Sequence, residues 1–162
     1  MKFKLTFIIT GFLVLSLAAV WQLKPKLPSL TTQLKQVPDQ QIMALKLGDW
    51  VLNVEVVNTP ASITQGLSGR DELGADGMLF VLPRRQFPRF WMKEMKFNLD
   101  LVWIDGDTVI GITENVLAPD HETALSALPI YTPEDAVEMV LELPAGVASA
   151  KQLMPGNHLS FP

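Results

Sequence analysis

No cysteine occurs among the 162 residues, and there are only two histidines and one tyrosine. The missing thiol excludes disulfides, thiolate nucleophiles, cysteine-ligated zinc, iron–sulfur ligation and a lipid-modified N-terminal Cys. With His121 and His158 as the only imidazoles, Asp120-His121-Glu122 is the densest set of metal-ligand types. Adjacent residues rarely converge on one ion, so no metal or other cofactor is expected. Positive charge is also short: from residue 97 onward only Lys151 stands against ten acids. Residues 36–162 carry eight basic and seventeen acidic side chains, a formal charge of −9. That balance argues against nucleic acid as a partner. No glycine loop of phosphate-cradling spacing is present, since Gly66, Gly69, Gly74 and Gly77 sit like turn punctuation. None of Ser62, Ser68, Ser126, Ser149 and Ser160 lies in a nucleophile-elbow context. Hydrophobic residues at 48% and charged residues at 19% exclude a disordered chain, and the length allows one domain of ordinary size.

What the chain does have begins with a long apolar run. Behind Lys2 and Lys4, Leu5 to Leu23 runs nineteen residues without a charge. As a helix it would cover about 28 Å, close to the hydrocarbon thickness of a bilayer. Small residues at Ser16-Leu17-Ala18 and Ala18-Ala19 fit a cleaved signal peptide. The continuation through Val20, Trp21 and Leu23 fits a retained anchor with an interfacial tryptophan, and favours it. Either way the remainder is expected outside the cytoplasm, at the cell envelope. Residues 24–47 hold Pro25, Pro28 and Pro38 among Thr and Gln and read as a spacer. Its most linker-like part, Lys24 to Gln41, would reach about 60 Å if fully extended.

From residue 48 onward the pattern is that of strands. Leu52, Val54 and Val56 alternate with Asn53 and Glu55. Thr59-Pro60 predicts a capped short helix ending near Gly66. Strands are expected at Gly77–Leu82, Phe90–Met92, Leu99–Ile104, Thr108–Thr113, Val137–Leu143 and Leu159–Phe161, with an Asp105-Gly106 hairpin and a long loop over 115–133. A second short helix is expected over Ala145–Leu153. The fold class is therefore mainly β with two short helices, a small, mostly antiparallel barrel-like domain behind an N-terminal hydrophobic helix.

Four stretches of this domain carry a resemblance: Gly66-Leu67 with Arg70; Gly77-Met78-Leu79-Phe80; Phe90-Trp91-Met92-Lys93 with Leu99-Asp100; and Val140-Leu141-Glu142-Leu143-Pro144-Ala145-Gly146 with Pro155-Gly156. In order and content they resemble the bacterial domain of unknown function 192 family. Ser68, Glu94-Met95 and Asn98 depart from residues often seen there. The resemblance implies a small barrel-like fold, frequently behind a signal or anchor segment, and brings no catalytic residues.

Chemistry must therefore come from the side chains. Arg84, Arg85, Arg89 and Lys93 lie within ten residues of one another, with Phe87, Phe90 and Trp91 interleaved. Guanidinium groups grip carboxylates and phosphates, and an indole face stacks on a sugar or a cation. The expected function is a non-enzymatic binding module whose ligand is an anionic glycan, a lipid head group or an envelope protein. The bland alternative has Phe90 and Met92 in the core and the cations paired with acids. Asp100, among Leu99, Leu101 and Val102, needs a partner if buried, with Lys93, Arg70 or a backbone amide as the options. Asp100 and Lys93 are also the acid–base residues of an alternative reading, a small envelope hydrolase or lyase, with His121 or Glu94 as further participants. Asp105-Gly106-Asp107 is read as a hairpin rather than a calcium loop, since no distal bidentate Glu follows.

Overall fold

Two-residue turns set the first and central hairpins. Gly48-Asp49 joins strand β1 (Gln41–Leu47) to β2 (Trp50–Val57), with Leu47 opposite Trp50. Gly106-Asp107 joins β4 (Leu99–Asp105) to β5 (Thr108–Val116), with Asp105 opposite Thr108. Gly48 and Gly106 take φ of +60° and +61°, the left-handed backbone that such tight turns demand. A computed structural model describes residues 27–120 and 122–162 of the chain. The hydrophobic helix expected over 5–23 lies outside the described residues, as does His121. Among the described residues no helix is long and apolar enough to cross a membrane.

The remaining strands are β3 (Gly77–Gln86), β6 (Val137–Pro144) and β7 (Leu159–Ser160). All seven form one sheet in the order β5-β4-β6-β3-β2-β1-β7. Every pairing is antiparallel except β2 with β3, whose parallel register sets Val54 beside Gly77. The sheet curls until its edges meet. Thr108 bridges His158, and the Val109 amide donates to the Asn157 carbonyl at 2.9 Å. Three short helices decorate it: α1 (Leu30–Leu34), α2 (Pro60–Gln65) and α3 (Val147–Ala150), with one 3-10 turn at Leu125–Ala127 in the long loop. The chain is thus mainly β and mostly antiparallel, a curled, barrel-like sheet, with three short helices where two were expected. As the Thr59-Pro60 pair predicted, Thr59 caps α2: its hydroxyl accepts from the Ser62 amide, and the Ser62 hydroxyl accepts from the Thr59 amide.

Burial explains why several strands read as unbroken apolar runs. The inner face of the curl packs Leu45, Leu52, Val54, Leu79, Val102 and Leu141 with one another. The outer face of β3, β4 and β6 is covered too: Met78, Phe80, Leu101, Trp103 and Val140 pack beneath Leu67, Met92 and Met95 from the connecting loops. Side chains alternate along a strand, so a double-covered sheet must be apolar at every position. Gly77 lies where this packing leaves no room. A Cβ there would meet the Glu142 carbonyl oxygen at 2.8 Å. Gly77→Ala is expected to cost about 1–3 kcal/mol in denaturant unfolding, because backbone rather than a flexible side chain stands in the way.

Two expectations are corrected. Within the expected spacer of residues 24–47, Leu30–Leu34 and Gln41–Leu47 belong to the folded domain. β1 pairs with β2 over its whole length, and α1 buries Leu34 fully against the inner core. Thr31 fixes that helix by donating to Glu138 Oε2 at 2.7 Å. Second, Phe90–Met92 is no strand: only Phe90 bridges, to Tyr131, and the segment closes the outer layer instead.

Candidate functional site

The outer layer is open between the end of α2 and the segment after β3. After β3 the chain turns through Phe87-Pro88-Arg89 and is pinned at Phe90, whose amide and carbonyl exchange hydrogen bonds with Tyr131 at 2.9 and 2.8 Å. The Phe90 ring meets Phe80 edge-on at 5.1 Å and Trp103 at 5.8 Å. Trp91, one residue on, is thereby turned outward and is 48% exposed. Opposite stands the end of α2. Gly66 takes φ +50° there, and a Cβ on it would meet the Phe80 ring at 3.2 Å, so that only glycine lets the chain turn this close to the floor. Between these walls lies a cavity of about 630 Å³. Its rim carries Phe87, Arg89, Trp91 and Ile130; its floor is Phe80, Leu82 and Glu142. This size is typical of small-molecule sites, and the lining mixes aromatic and aliphatic side chains with Thr64, Gln65, Ser68 and Gln86 as well as the two charged groups.

Glu142 is the residue the sequence pattern concealed. It lies in β6 directly opposite Met78 on one side and Leu101 on the other, on the outer face, and is only 7% exposed. No described residue hydrogen-bonds its carboxyl, and because no fully enclosed side-chain oxygen is left unpaired, the carboxyl opens onto the cavity. Burial alone pushes its pKa from 4.5 up to about 8, with no charge or hydrogen bond to oppose it. A group kept at that cost in a cleft is a functional-site candidate. The signal in the sequence was Val140: an apolar residue on the supposed polar side of β6, showing that this side is covered.

The structure divides the basic segment. Arg89 and Trp91 line the cavity together. Arg85, carried on β3, grips Asp105 through Nε at 2.9 and 3.0 Å. Arg84 is exposed on the same strand, away from the cavity lining. Lys93 pairs with Glu94 at 3.6 Å outside the cavity. Lys93 makes no ion pair with Asp100. Asp100 points inward, opposite Leu143, fully buried, and accepts from the amides of Asn115 at 2.8 Å and Ala148 at 2.9 Å. Of the three partners weighed for Asp100, the backbone amides are the ones it has. Arg70 instead forks onto Glu55, at 2.6 and 2.8 Å, one strand beyond Met78 from Glu142.

Comparison with known proteins gives a family without an activity. No curated protein matches the chain. A crystal structure from Sinorhizobium meliloti 1021, provisionally described as a transcription regulator, superposes with a TM-score of 0.66 at 27% identity, covering 75% of this chain and 95% of that one. A protein of unknown function from Novosphingobium aromaticivorans DSM 12444 superposes equally well, TM-score 0.66 at 26% identity, over 78% of this chain and 89% of its own. The profile of DUF192, described as "Uncharacterized ACR", matches residues 43–161. With nearly the whole folded domain inside that match, the chain belongs to the DUF192 family.

Proposed function

We propose that the domain is a ligand-binding module rather than an enzyme, displayed at the cell envelope behind its N-terminal apolar run. The cavity between α2 and the Phe87–Trp91 turn is its binding site. The observation that carries this is the meeting of Arg89 and Trp91 on the rim of a 630 Å³ cavity whose floor holds the largely buried Glu142 carboxyl, reached from the cavity. An indole face and Phe87 take a flat or sugar-like ring, and Arg89, which makes no ion pair among the described residues, takes an anionic group. A nucleic-acid partner fits poorly. Arg70, Arg85, Lys93 and Lys96 each already face a carboxylate, so the positive segment offers few free charges to a phosphate backbone.

A thermal-shift screen with sugar acids and aromatic carboxylates tests this reading. A ligand at one hundred times its Kd stabilises by about 2.7 kcal/mol, a shift of several degrees. Trp91→Ala and Arg89→Ala are each expected to weaken binding about tenfold or more, while Arg84→Ala leaves it unchanged. Equal binding by all three variants would place the site elsewhere.

A further inference from the structure

The floor of the cavity specifies more than a ring and an anion. Resting on the binding reading above, we infer that the ligand carries a cationic amine that seats on Glu142, with its anionic group at Arg89, so that the site selects a zwitterion. Three observations converge. Glu142 is more than nine-tenths buried and lines the cavity; no described residue hydrogen-bonds its carboxyl, and since no fully enclosed side-chain oxygen is left unpaired, that carboxyl is reached only from the cavity. A neutral hydroxyl would return one hydrogen bond to it; an ammonium returns a charge-assisted bond and the missing opposite charge. Second, aromatic rings line the same cavity, Phe80 in the floor, Phe90 in the wall and Trp91 on the rim, and the face of such a ring favours a cation over an anion. Third, the two polar poles of the cavity differ in sign and depth, a carboxyl at the bottom and a guanidinium at the mouth.

The charged groups around Glu142 on each packed element leave the seat otherwise unclaimed. On β3 and β4 its direct neighbours are Met78 and Leu101. From β2, Glu55 lies beyond Met78 and is neutralised by Arg70. The end of α2 contributes no charge to the lining, and the Phe87–Trp91 turn contributes only Arg89. An arriving ammonium therefore displaces the carboxyl proton into solvent and forms one N–H···O bond.

The test uses three probes of one shape: 4-(aminomethyl)benzoate, 4-(hydroxymethyl)benzoate and 4-methylbenzoate, titrated by NMR and calorimetry. The amine is expected to bind at least tenfold tighter than the other two. It should release about one proton at pH 7, and its affinity should rise about tenfold from pH 6 to 7. Glu142→Gln should bring the amine down to the level of the methyl probe, and a urea-unfolding transition at pH 4 matching the parent's shows that the variant is folded. If all three probes bind equally, or Glu142→Gln changes none of them, the amine seat is wrong while the binding reading stands, provided Trp91→Ala weakens them. If no probe binds, both fall together.

Discussion

Glutamine in place of Glu142 is expected to stabilise the domain at alkaline pH by several kcal/mol and to leave it nearly unchanged at pH 4. The direction follows from burial. Below pH 4.5 the carboxyl is protonated in both folded and unfolded chains, and it adds no pH dependence. Above that value the unfolded chain ionises, while the folded one keeps its proton up to about pH 8. Stability therefore falls across this window by about 1.36 kcal/mol per pH unit, then levels once the folded carboxyl ionises too. The full interval corresponds to a loss of roughly 5 kcal/mol, an upper figure because the cavity admits water. Glutamine has the shape of the protonated acid but does not titrate. Subtracting the urea-unfolding free energies of the two proteins from pH 4 to 9 cancels every other group. A difference that climbs between pH 4.5 and 8 is the expected result; parallel profiles would mean that Glu142 is hydrated and ordinary.

The second large effect concerns Asp100. Its two oxygens hold two amides that belong to different elements. Asn115, which sits at φ +53°, lies in an irregularity of β5 where the register against β4 slips between Leu99 and Leu101. Ala148 lies in the first turn of α3. One carboxylate thus staples a bulged strand to a helix inside the core, and it does so with charge-assisted bonds. Asp100→Asn must turn an NH₂ group toward one of those amides, leaving two donors face to face at a fully buried side chain. A cost of about 3–4 kcal/mol is expected, lowering Tm by roughly 10–15 °C in calorimetry. The acid–base alternative makes the opposite forecast, an asparagine variant that melts like the parent. An unchanged Tm would return Asp100 to the list of catalytic residues.

Much of the architecture could be read directly from the residues, and the exceptions share a cause. Thr59-Pro60 and Asp105-Gly106 act locally, through a cap and a turn, so sequence neighbours suffice to predict them. β1 was hidden because Pro38 and a run of glutamines mask the short alternation of Leu45 and Leu47 around Lys46. At five residues, α1 is far too short to be stable alone; it exists because Leu34 has a core to enter. The cationic segment looked like one surface because its counter-charges, Glu55, Asp71 and Asp105, come from distant parts of the chain. Of its cations only Arg89 lines the cavity, beside Phe87, Phe90 and Trp91. Asp100 shows the reverse. Two of the stretches that carried the family resemblance, Leu99-Asp100 and Val140 to Gly146, lie side by side in the sheet, so their pairing was written in the motif before its geometry was known.

The docking of α1 also changes how far the domain can travel from whatever holds its N-terminus. Eighteen free residues would have given a radius of about 60 Å. With Leu30 already in α1, only Lys24 to Ser29 separate the apolar run from the folded body, a span of about 20 Å at most. For a chain anchored by that run, the domain is confined to a layer no deeper than its own diameter. The cavity then meets ligands released or displayed at the bilayer surface more often than those in the surrounding fluid. In a chain so anchored, lengthening this short leash by inserted Gly-Ser residues would free the domain to sample a much larger volume without touching a single contact of the fold.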